Sequence, residues 1–282
     1  IEWLWRASQM ARRAFRQRDA LSGYIVCSRW MEQRLGLTKK ERNKPQLIFD
    51  FERFRKAKVS RSRYLRTLVY AGDLHEGLGG FRDAERIYRR VVKMCGKPSA
   101  EMPVEILVPL CQAWLGLGHI AWQRGDFTAA DWAFRRVHDV LTGEDFAHDI
   151  ANAALRGLAR VAWLRGEYDE ATSLATSAYE NAIKHEDDES QAESLWILGE
   201  VARMVAMQSE AQRYFEESLE IYQTIQNPTG IAKILLSQAQ LARYNKNFEV
   251  AKSFYQKALK EYGALGDRRG QGLCWNGLGE SA

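Results

Sequence analysis

The sequence is poor in proline and in the patterns that mark β-strands. It has 5 prolines in 282 residues, with 46% apolar and 27% charged side chains. Strict alternation of apolar and polar residues, which is typical of a half-buried strand, is scarce along the chain. This composition is that of an ordinary globular protein. Together these features predict an all-α fold.

Cysteines and long apolar runs are also few. The four cysteines, Cys27, Cys95, Cys111 and Cys274, stand apart without the paired spacing of a disulfide framework or a zinc site. We therefore expect reduced core cysteines. No run of apolar residues approaches the roughly 18 that a membrane span requires, and no basic-then-apolar leader is present. We expect a cytoplasmic protein with no transmembrane segment, and the initial Ile suggests a piece of a longer chain.

Motifs that carry catalysis or hold a metal are missing. The sequence contains no H-E-x-x-H, no C-x-x-C and no G-x-S-x-G. The glycine-rich stretch 77–80 follows no predicted strand, and it lacks the Gly-Lys-Ser/Thr ending of a phosphate-binding loop. The five histidines fall in different parts of the chain. We expect a non-enzyme that holds no metal and no cofactor.

A repeated pattern begins at Trp114–Val137. This stretch carries a Leu-Gly pair, an alanine one turn later, a Gly-Asp-Phe turn, and then Ala130 and Phe134. Equivalent alanines recur at 171, 211 and 251, at intervals of 41, 40 and 40 residues. Repeats of this period indicate a solenoid built from short helices. The turns between paired helices are predicted near Gly79, Gly125, Gly166, Ala206 and Asn245.

The pattern W-x2-L-G-x2-A followed by G-D-F-x2-A-x3-F is similar to the tetratricopeptide repeat (TPR), whose usual period is about 34 residues. The longer unit resembles the adaptors of the kinesin light chain and partner-of-Inscuteable families and the arrays of bacterial kinases and transcription regulators. The resemblance implies a right-handed superhelix of antiparallel helix pairs. It also implies a protein–protein interaction scaffold that binds a peptide or helix of a partner in a concave groove. Residues 65–282 are predicted to hold about five repeats and the first helix of a sixth.

Two segments depart from the pattern. In one repeat Ala206, Met207 and Gln208 replace the Gly-Asp-aromatic turn, and the loss of a permissive glycine is expected to distort that turn. The other departure is an insertion over residues 95–109. Its Gly96 and its three prolines, the last of them Pro109, are expected to break any continuous helix there.

The charge is divided between two regions. Residues 1–66 carry 18 Lys and Arg against 6 Asp and Glu, whereas the remainder carries 23 against 30. Residues 1–64 are predicted to be a basic helical cap that includes a degenerate repeat. Its arginines could bind nucleic acid or an acidic surface, or could simply form a solvated helix face. The residues in question are Arg12, Arg13, Arg16 and Arg18.

In TPR arrays the first helix of each unit lines the groove, and the resemblance implies that positions two, five, six, nine, twelve and thirteen point inward. Counting from Leu65, Cys111, Asn152, Ala192, Ala232 and Gly272 gives the candidate partner-binding residues. They are Arg66, Tyr70, Asp73, His119, Trp122, Arg156, Arg160, Trp163, Trp196, Glu200, Arg203, Lys233, Gln240, Arg243, Tyr244 and Asn276.

The centre of this set predicts the kind of ligand. Arg156, Arg160 and Trp163 share one helical face because they lie at i, i+4 and i+7. Arginine and tryptophan are frequent in binding hot spots, so the partner segment is expected to carry acidic and apolar residues, with Glu200 selecting a basic one. The alternatives are that the tryptophans only pack between helices, or that the array is the sensor module of a larger signalling protein.

Overall fold

The computed structural model describes residues 61–99 and 101–281, and within these ranges the ordered elements are α-helices and one 3₁₀ turn. The all-α prediction is confirmed. Residues from Leu65 onwards form one compact unit. The helices are α1 (Arg61–Gly77), α2 (Phe81–Cys95), α3 (Val104–Gln123), α4 (Phe127–Leu141), α5 (His148–Arg165), α6 (Tyr168–Lys184), α7 (Asp188–Met204), α8 (Gln208–Thr224), α9 (Pro228–Tyr244), α10 (Phe248–Leu265) and α11 (Arg268–Glu280).

Each helix forms because its apolar residues recur on one face. In α4, Ala130, Phe134, Val137 and Leu141 are spaced by three or four residues, and all four are buried. Polar side chains mark the helix starts, where they accept hydrogen bonds from otherwise unpaired backbone N–H groups. The residues that cap helices in this way are Asp126, Asp187, Asn227, Asn247 and Asp267.

The turns lie where the repeat predicts them, but Ala206 does not distort its turn. Its φ is 61°, close to the 81° of Gly166 in the preceding repeat. In both turns the next residue donates its backbone N–H to a carbonyl five residues earlier, at 2.9 Å. Ala206 therefore adopts the left-handed conformation that glycine would adopt, and the packing of α7 on α8 must offset the resulting strain. The expectation of a distorted turn was wrong.

Close helix contacts depend on small residues. The four alanines that set the repeat, Ala130, Ala171, Ala211 and Ala251, are each 0% exposed. Aromatic side chains of second helices fill the space beside glycines of first helices. A Cβ added at Gly118 would lie 2.5 Å from the Phe134 ring, so a larger residue there would force the two helices apart.

The α3 helix corrects two expectations. Val104–Gln123 is continuous, with Pro109 inside it rather than ending it. A proline six residues into a helix still removes one hydrogen bond. Among the described residues, this helix alone is long and apolar enough to cross a membrane by length and composition, although no such stretch was expected. In the array α3 packs against α2, α4 and α5, which accounts for its apolar composition.

The helices form an array of pairs. Each second helix contacts the first helix of the following pair, and neighbouring first helices contact each other from α3 through α5, α7 and α9 to α11. The first helices from α3 to α11 therefore form one continuous surface, which we call the first-helix face. Every candidate partner-binding residue belongs to a first helix, and all except those of α1 lie on helices of this face.

Candidate functional site

Arg160 of α5 lies between two tryptophans of neighbouring first helices. Its guanidinium carbon is 3.9 Å from the centroid of the Trp122 ring in α3 and 5.7 Å from that of Trp196 in α7. A guanidinium over an indole is held by the charge distribution of the ring. The predicted site residues of three different repeats therefore meet at one point of the first-helix face.

Trp196 carries a second cation. The Lys233 ammonium of α9 lies 4.1 Å from the Trp196 ring centroid, and the Trp196 indole N–H donates to Ser237 Oγ at 3.0 Å. Trp163 meets the same indole edge-on, with the ring centroids 5.9 Å apart. Contacts on several sides thus fix the Trp196 ring, which agrees in part with the alternative that the tryptophans pack between helices.

One carboxylate faces both cations. Glu193 of α7 accepts hydrogen bonds from Lys233 Nζ and, at 3.0 Å, from the Tyr222 hydroxyl, and its Oε1 is 4.0 Å from Arg160 Nη1. Burial alone would raise the pKa of Glu193, but the charges of Lys233 and Arg160 outweigh it and lower the pKa to about 2. Glu193 is therefore ionised at neutral pH. We call Trp122, Arg160, Glu193, Trp196 and Lys233 the Arg160 cluster.

The Arg160 cluster has an excess of positive charge, and the guanidinium of Arg160 has N–H donors without a hydrogen-bond partner among the described residues. Two cations face one carboxylate, and Arg156 adds a third cation one helical turn from Arg160. Within the described residues Arg160 makes no hydrogen bond: its Nε is buried without a partner, and its contact with Glu193 is 4.0 Å long. Arg156 donates from Nη1 to Ser190 Oγ at 2.6 Å. A guanidinium has five donors. The Nη groups of Arg160 make no hydrogen bond within the described residues and are the donors that could bind an anionic group.

Two details of the predicted site are corrected. Arg160 is not freely solvent-exposed, because only 25% of its side chain is accessible and it faces Glu193. Glu200 is 3% exposed and accepts from Arg203 Nη2 at 2.6 Å and Nε at 3.1 Å. The side chain of Arg203 folds back along its own helix, so Glu200 is not available to select a basic residue of a ligand.

The other predicted residues lie apart from the Arg160 cluster. Arg66 is exposed on α1, and Gln240 is half-buried on α9. Arg243 is paired with Glu280 of α11 at 2.8 Å, and Tyr244 is exposed beside it. Asn276 donates to the same Glu280 at 3.0 Å. Apart from Arg66, these residues lie on α9 and α11, away from the Arg160 cluster.

His119 and the residues of α1 form a separate polar group. The His119 Nδ1 lies 3.8 Å from Glu76 Oε1. Burial and the nearby charges of Arg160 and Arg156 lower the pKa of His119 to about 4, so the imidazole is neutral at pH 7. The Tyr88 hydroxyl lies 2.7 Å from Asp73 Oδ1 and 3.0 Å from Glu76 Oε2.

Three contributors were missed by sequence reasoning. Glu193 occupies the second position of its unit, as Lys233 does in the next unit, so the same counting rule points to it. Tyr222 lies on a second helix, and Ser190 precedes the counted stretch of α7. No motif marks either of these two residues, because each enters the site through the packing of one helix on the next.

Several residues singled out from the sequence do not belong to this site. Arg12, Arg13, Arg16, Arg18 and Cys27 lie outside the described residues, as does most of the basic region 1–64. The other three cysteines are buried and unbridged, as expected. Across residues 61–99 and 101–281 no group of three or more His, Cys, Asp or Glu side chains is placed to hold a metal ion.

Comparison with known proteins identifies a known repeat in part of the chain. Residues 149–224, which span α5 to α8, match the tetratricopeptide repeat family model. A search of curated protein sequences finds no match.

Three solved structures share the fold. A Rap protein complexed with Competence and Sporulation Factor has a TM-score of 0.65 at 11% identity, over 95% of this chain and 68% of that one. A signal transduction ATPase with a tetratricopeptide repeat sensor from Pyrococcus horikoshii has a TM-score of 0.60 at 12% identity, over 78% and 34%. Kinesin light chain-like repeats from Podosopora anserina have a TM-score of 0.55 at 14% identity, over 73% and 98%.

At these identities the structural similarities concern the fold alone. The family match covers two helix pairs, and the described pairs on either side repeat their turns, their small-residue contacts and their aromatic packing. Residues 149–224 are therefore tetratricopeptide repeats, and the described pairs on either side share their helical architecture.

Proposed function

We propose that the first-helix face binds a partner protein through a segment that carries an acidic residue beside an apolar one. Tetratricopeptide repeat proteins are in general protein-interaction modules, and this coarser role follows from the fold. The finer proposal is supported above all by one observation, which is the Arg160 guanidinium held between Trp122 and Trp196 without a hydrogen bond.

The chemistry of the Arg160 cluster favours a carboxylate ligand. A guanidinium can bind a carboxylate through two parallel hydrogen bonds, and its stacking on Trp122 orients it before the ligand arrives. Glu193 neutralises only part of the local positive charge, since Lys233 and Arg156 lie close by. The half-buried indoles of Trp122 and Trp163 offer apolar area next to the charge, and tryptophan provides such area at low entropic cost.

The proposal is tested with synthetic peptides in which an aromatic residue is flanked by Asp and Glu. Matched peptides carry Asn and Gln in their place. Binding to the full chain is measured by fluorescence anisotropy at low and at physiological salt. We expect the acidic peptides to bind more tightly, and Arg160→Gln to weaken their binding about tenfold or more, which corresponds to ~1.4 kcal/mol.

The choice of variant follows from the geometry. Arg160→Glu would face Glu193 and add like-charge repulsion inside the array, so a loss of binding could reflect unfolding. Arg160→Gln avoids this, and the exposed Arg86 of α2, 77% accessible, provides a matched control as Arg86→Gln. Equal binding of acidic and amide peptides, or normal binding by Arg160→Gln, would show that the cluster does not recognise a carboxylate.

A sensor role in a larger signalling protein is the second candidate. The array of the Pyrococcus horikoshii protein is described as a sensor, and the fold is shared with it. In that case the ligand would bind the same cluster and change the arrangement of the helices. Nucleic-acid binding depends on the arginines of residues 1–64 and stays a prediction, as do the absence of catalysis and the cytoplasmic location.

A further inference from the structure

The carboxylate of Glu193 is bonded to one cation of the Arg160 cluster and only faces the other. Its Oε2 accepts hydrogen bonds from Lys233 Nζ and, at 3.0 Å, from the Tyr222 hydroxyl. Its Oε1 is 4.0 Å from Arg160 Nη1, which is beyond hydrogen-bond distance. Glu193 is therefore held on the side of Lys233, and the Arg160 guanidinium is left without it.

Lys233 is itself fixed by its surroundings. Its Nζ lies 4.1 Å from the Trp196 ring centroid and 3.5 Å from the Tyr222 hydroxyl oxygen. Burial raises the pKa of Glu193, and the charge of Lys233 contributes more than that of Arg160 to lowering it to about 2. The ammonium is thus enclosed by an indole, a phenol and a carboxylate, and Glu193 already balances its charge.

Arg160 is the other cation within reach of this carboxylate. A small change in the side-chain torsions of Glu193 would bring it to about 2.8 Å from the guanidinium, the distance of a charge-assisted hydrogen bond. The carboxylate could then occupy the Nη groups of Arg160 through two parallel hydrogen bonds, and these groups are the donors that a ligand needs. Loss of Lys233 would favour this change, because a largely buried charge without a partner is strongly destabilising.

We propose that Lys233 is a positioning residue of the site, which holds Glu193 away from Arg160 and so leaves the Arg160 Nη groups to the carboxylate of the partner. This inference rests on the proposed function of the Arg160 cluster. Lys233 acts through Glu193 and does not touch the ligand. Glu193 is an internal competitor for Arg160, and Lys233 and Tyr222 together restrain it.

The first test is a rescue experiment with the acidic peptides described above. Their binding to the full chain is measured by fluorescence anisotropy. We expect Lys233→Gln to weaken it about tenfold or more, because Glu193 then pairs with Arg160. Adding Glu193→Gln to this variant should restore the affinity to within about threefold of wild type. If the double variant binds as weakly as Lys233→Gln, Lys233 contacts the ligand and the proposal is wrong.

Tyr222→Phe separates the position of Glu193 from the net charge of the site. It removes one hydrogen bond to Glu193 Oε2 and changes no charge, and circular dichroism checks that the fold is kept. We expect it to weaken the binding of acidic peptides about threefold in wild type but not in the Glu193→Gln protein. Equal effects in the two backgrounds, or none in either, would contradict the proposal.

The charge control is Lys252 of α10, which pairs with Glu249 at 3.2 Å outside the Arg160 cluster. Lys252→Gln removes the same charge as Lys233→Gln, and it should leave the binding of acidic peptides unchanged. An equal loss of binding in these two variants would mean that only the overall charge of the chain matters, and it would overturn the positioning role.

A measurement without ligand tests the positioning role separately from the proposed function. Urea unfolding compares the effect of Arg160→Gln in wild type and in the Lys233→Gln protein. Glu193 should be paired with Arg160 only in the second background, so Arg160→Gln should lower the urea midpoint more there. Equal shifts in both backgrounds overturn the positioning role of Lys233. Equal binding of acidic and amide peptides by wild type contradicts the proposed function instead.

Discussion

Arg160 and Trp122 come from neighbouring first helices, and the guanidinium carbon of one lies 3.9 Å from the ring centroid of the other. This stacking joins α5 to α3 at the centre of the first-helix face. It orients Arg160 although no hydrogen bond from the described residues holds the guanidinium. The same contact therefore contributes to the stability of the array and to its readiness for an anionic ligand.

A double-mutant cycle measures this contact. Trp122→Leu, Arg160→Gln and the double variant are compared in urea unfolding. The coupling between the two residues is expected to be ~0.5–2 kcal/mol, the range for a partly desolvated cation over an aromatic ring. Trp122→Phe should keep part of the coupling. If the two single effects simply add, the ring does not hold the guanidinium.

The repeat pattern predicted the fold because the repeated residues are those that pack where two helices meet. Alanines at intervals of 40 or 41 residues occur where helices approach closely, and this spacing located the helix pairs and their turns. The candidate residues were predicted less well, since a position in a repeat fixes only where the Cα lies. Arg160 and Glu200 share the ninth position, yet Arg160 stacks on Trp122 whereas Arg203 folds back onto Glu200. Side-chain rotamers and neighbours on the next helix decide this difference, and the sequence does not display them.

Glu193 should make the array sensitive to acid. Its pKa is lowered to about 2 in the folded protein, below the ordinary value near 4.5. A group with a lowered pKa stabilises the fold above its unfolded pKa, and this stabilisation is lost as the pH falls through the folded pKa. Between pH 4.5 and 2, Glu193 should account for a loss of roughly 2–3 kcal/mol.

The measurement is urea unfolding of wild type and Glu193→Gln at several pH values. The variant should be less stable near pH 7, because Arg160 and Lys233 lose their shared carboxylate. The difference between the two proteins should shrink toward pH 2. A difference that is constant across this range would show that Glu193 is not ionised by these cations.

The backbone strain at Ala206 can be relieved by glycine. Ala206 has a φ of 61°, a conformation that costs a residue with a Cβ about 1 kcal/mol or more. Glycine removes this cost but makes the unfolded chain more flexible. Ala206→Gly is therefore expected to raise the free energy of unfolding by ~0.5 kcal/mol. Gly166→Ala, at the equivalent turn, should lower it, and a change of the same sign in both variants would contradict the argument.

Close approach of the helices at the repeat alanines is tested by enlarging them. Ala171 and Ala211 are 0% exposed, so Ala171→Leu and Ala211→Leu should overpack their contacts at a cost of ~1–3 kcal/mol each. The exposed Ala264 of α10 provides the control, and Ala264→Leu should change the melting temperature little. Unchanged melting temperatures in the first two variants would mean that the helix contacts lie elsewhere.

Glu76 should make the array less stable as the pH rises toward neutrality. The Tyr88 hydroxyl has one proton and lies within 3.0 Å of carboxylate oxygens of both Asp73 and Glu76, so it cannot donate to both. Burial raises the pKa of Glu76 to about 7, and a protonated Glu76 can donate to the Tyr88 oxygen while Tyr88 donates to Asp73. Because the pKa of Glu76 is raised, its stabilisation of the fold is complete below the unfolded pKa near 4.5 and is lost as the pH rises through 7.

Glu76→Gln, which keeps a donor at every pH, should reduce this pH dependence of the free energy of unfolding by up to about 3 kcal/mol between pH 4.5 and 8. The solvent-exposed Glu249, 86% accessible, is the control, since Glu249→Gln should leave the profile as it is. If wild type and Glu76→Gln lose stability in parallel over this range, Glu76 is ionised throughout. The Glu76 carboxyl then carries no proton to donate to the Tyr88 oxygen, and this prediction is wrong.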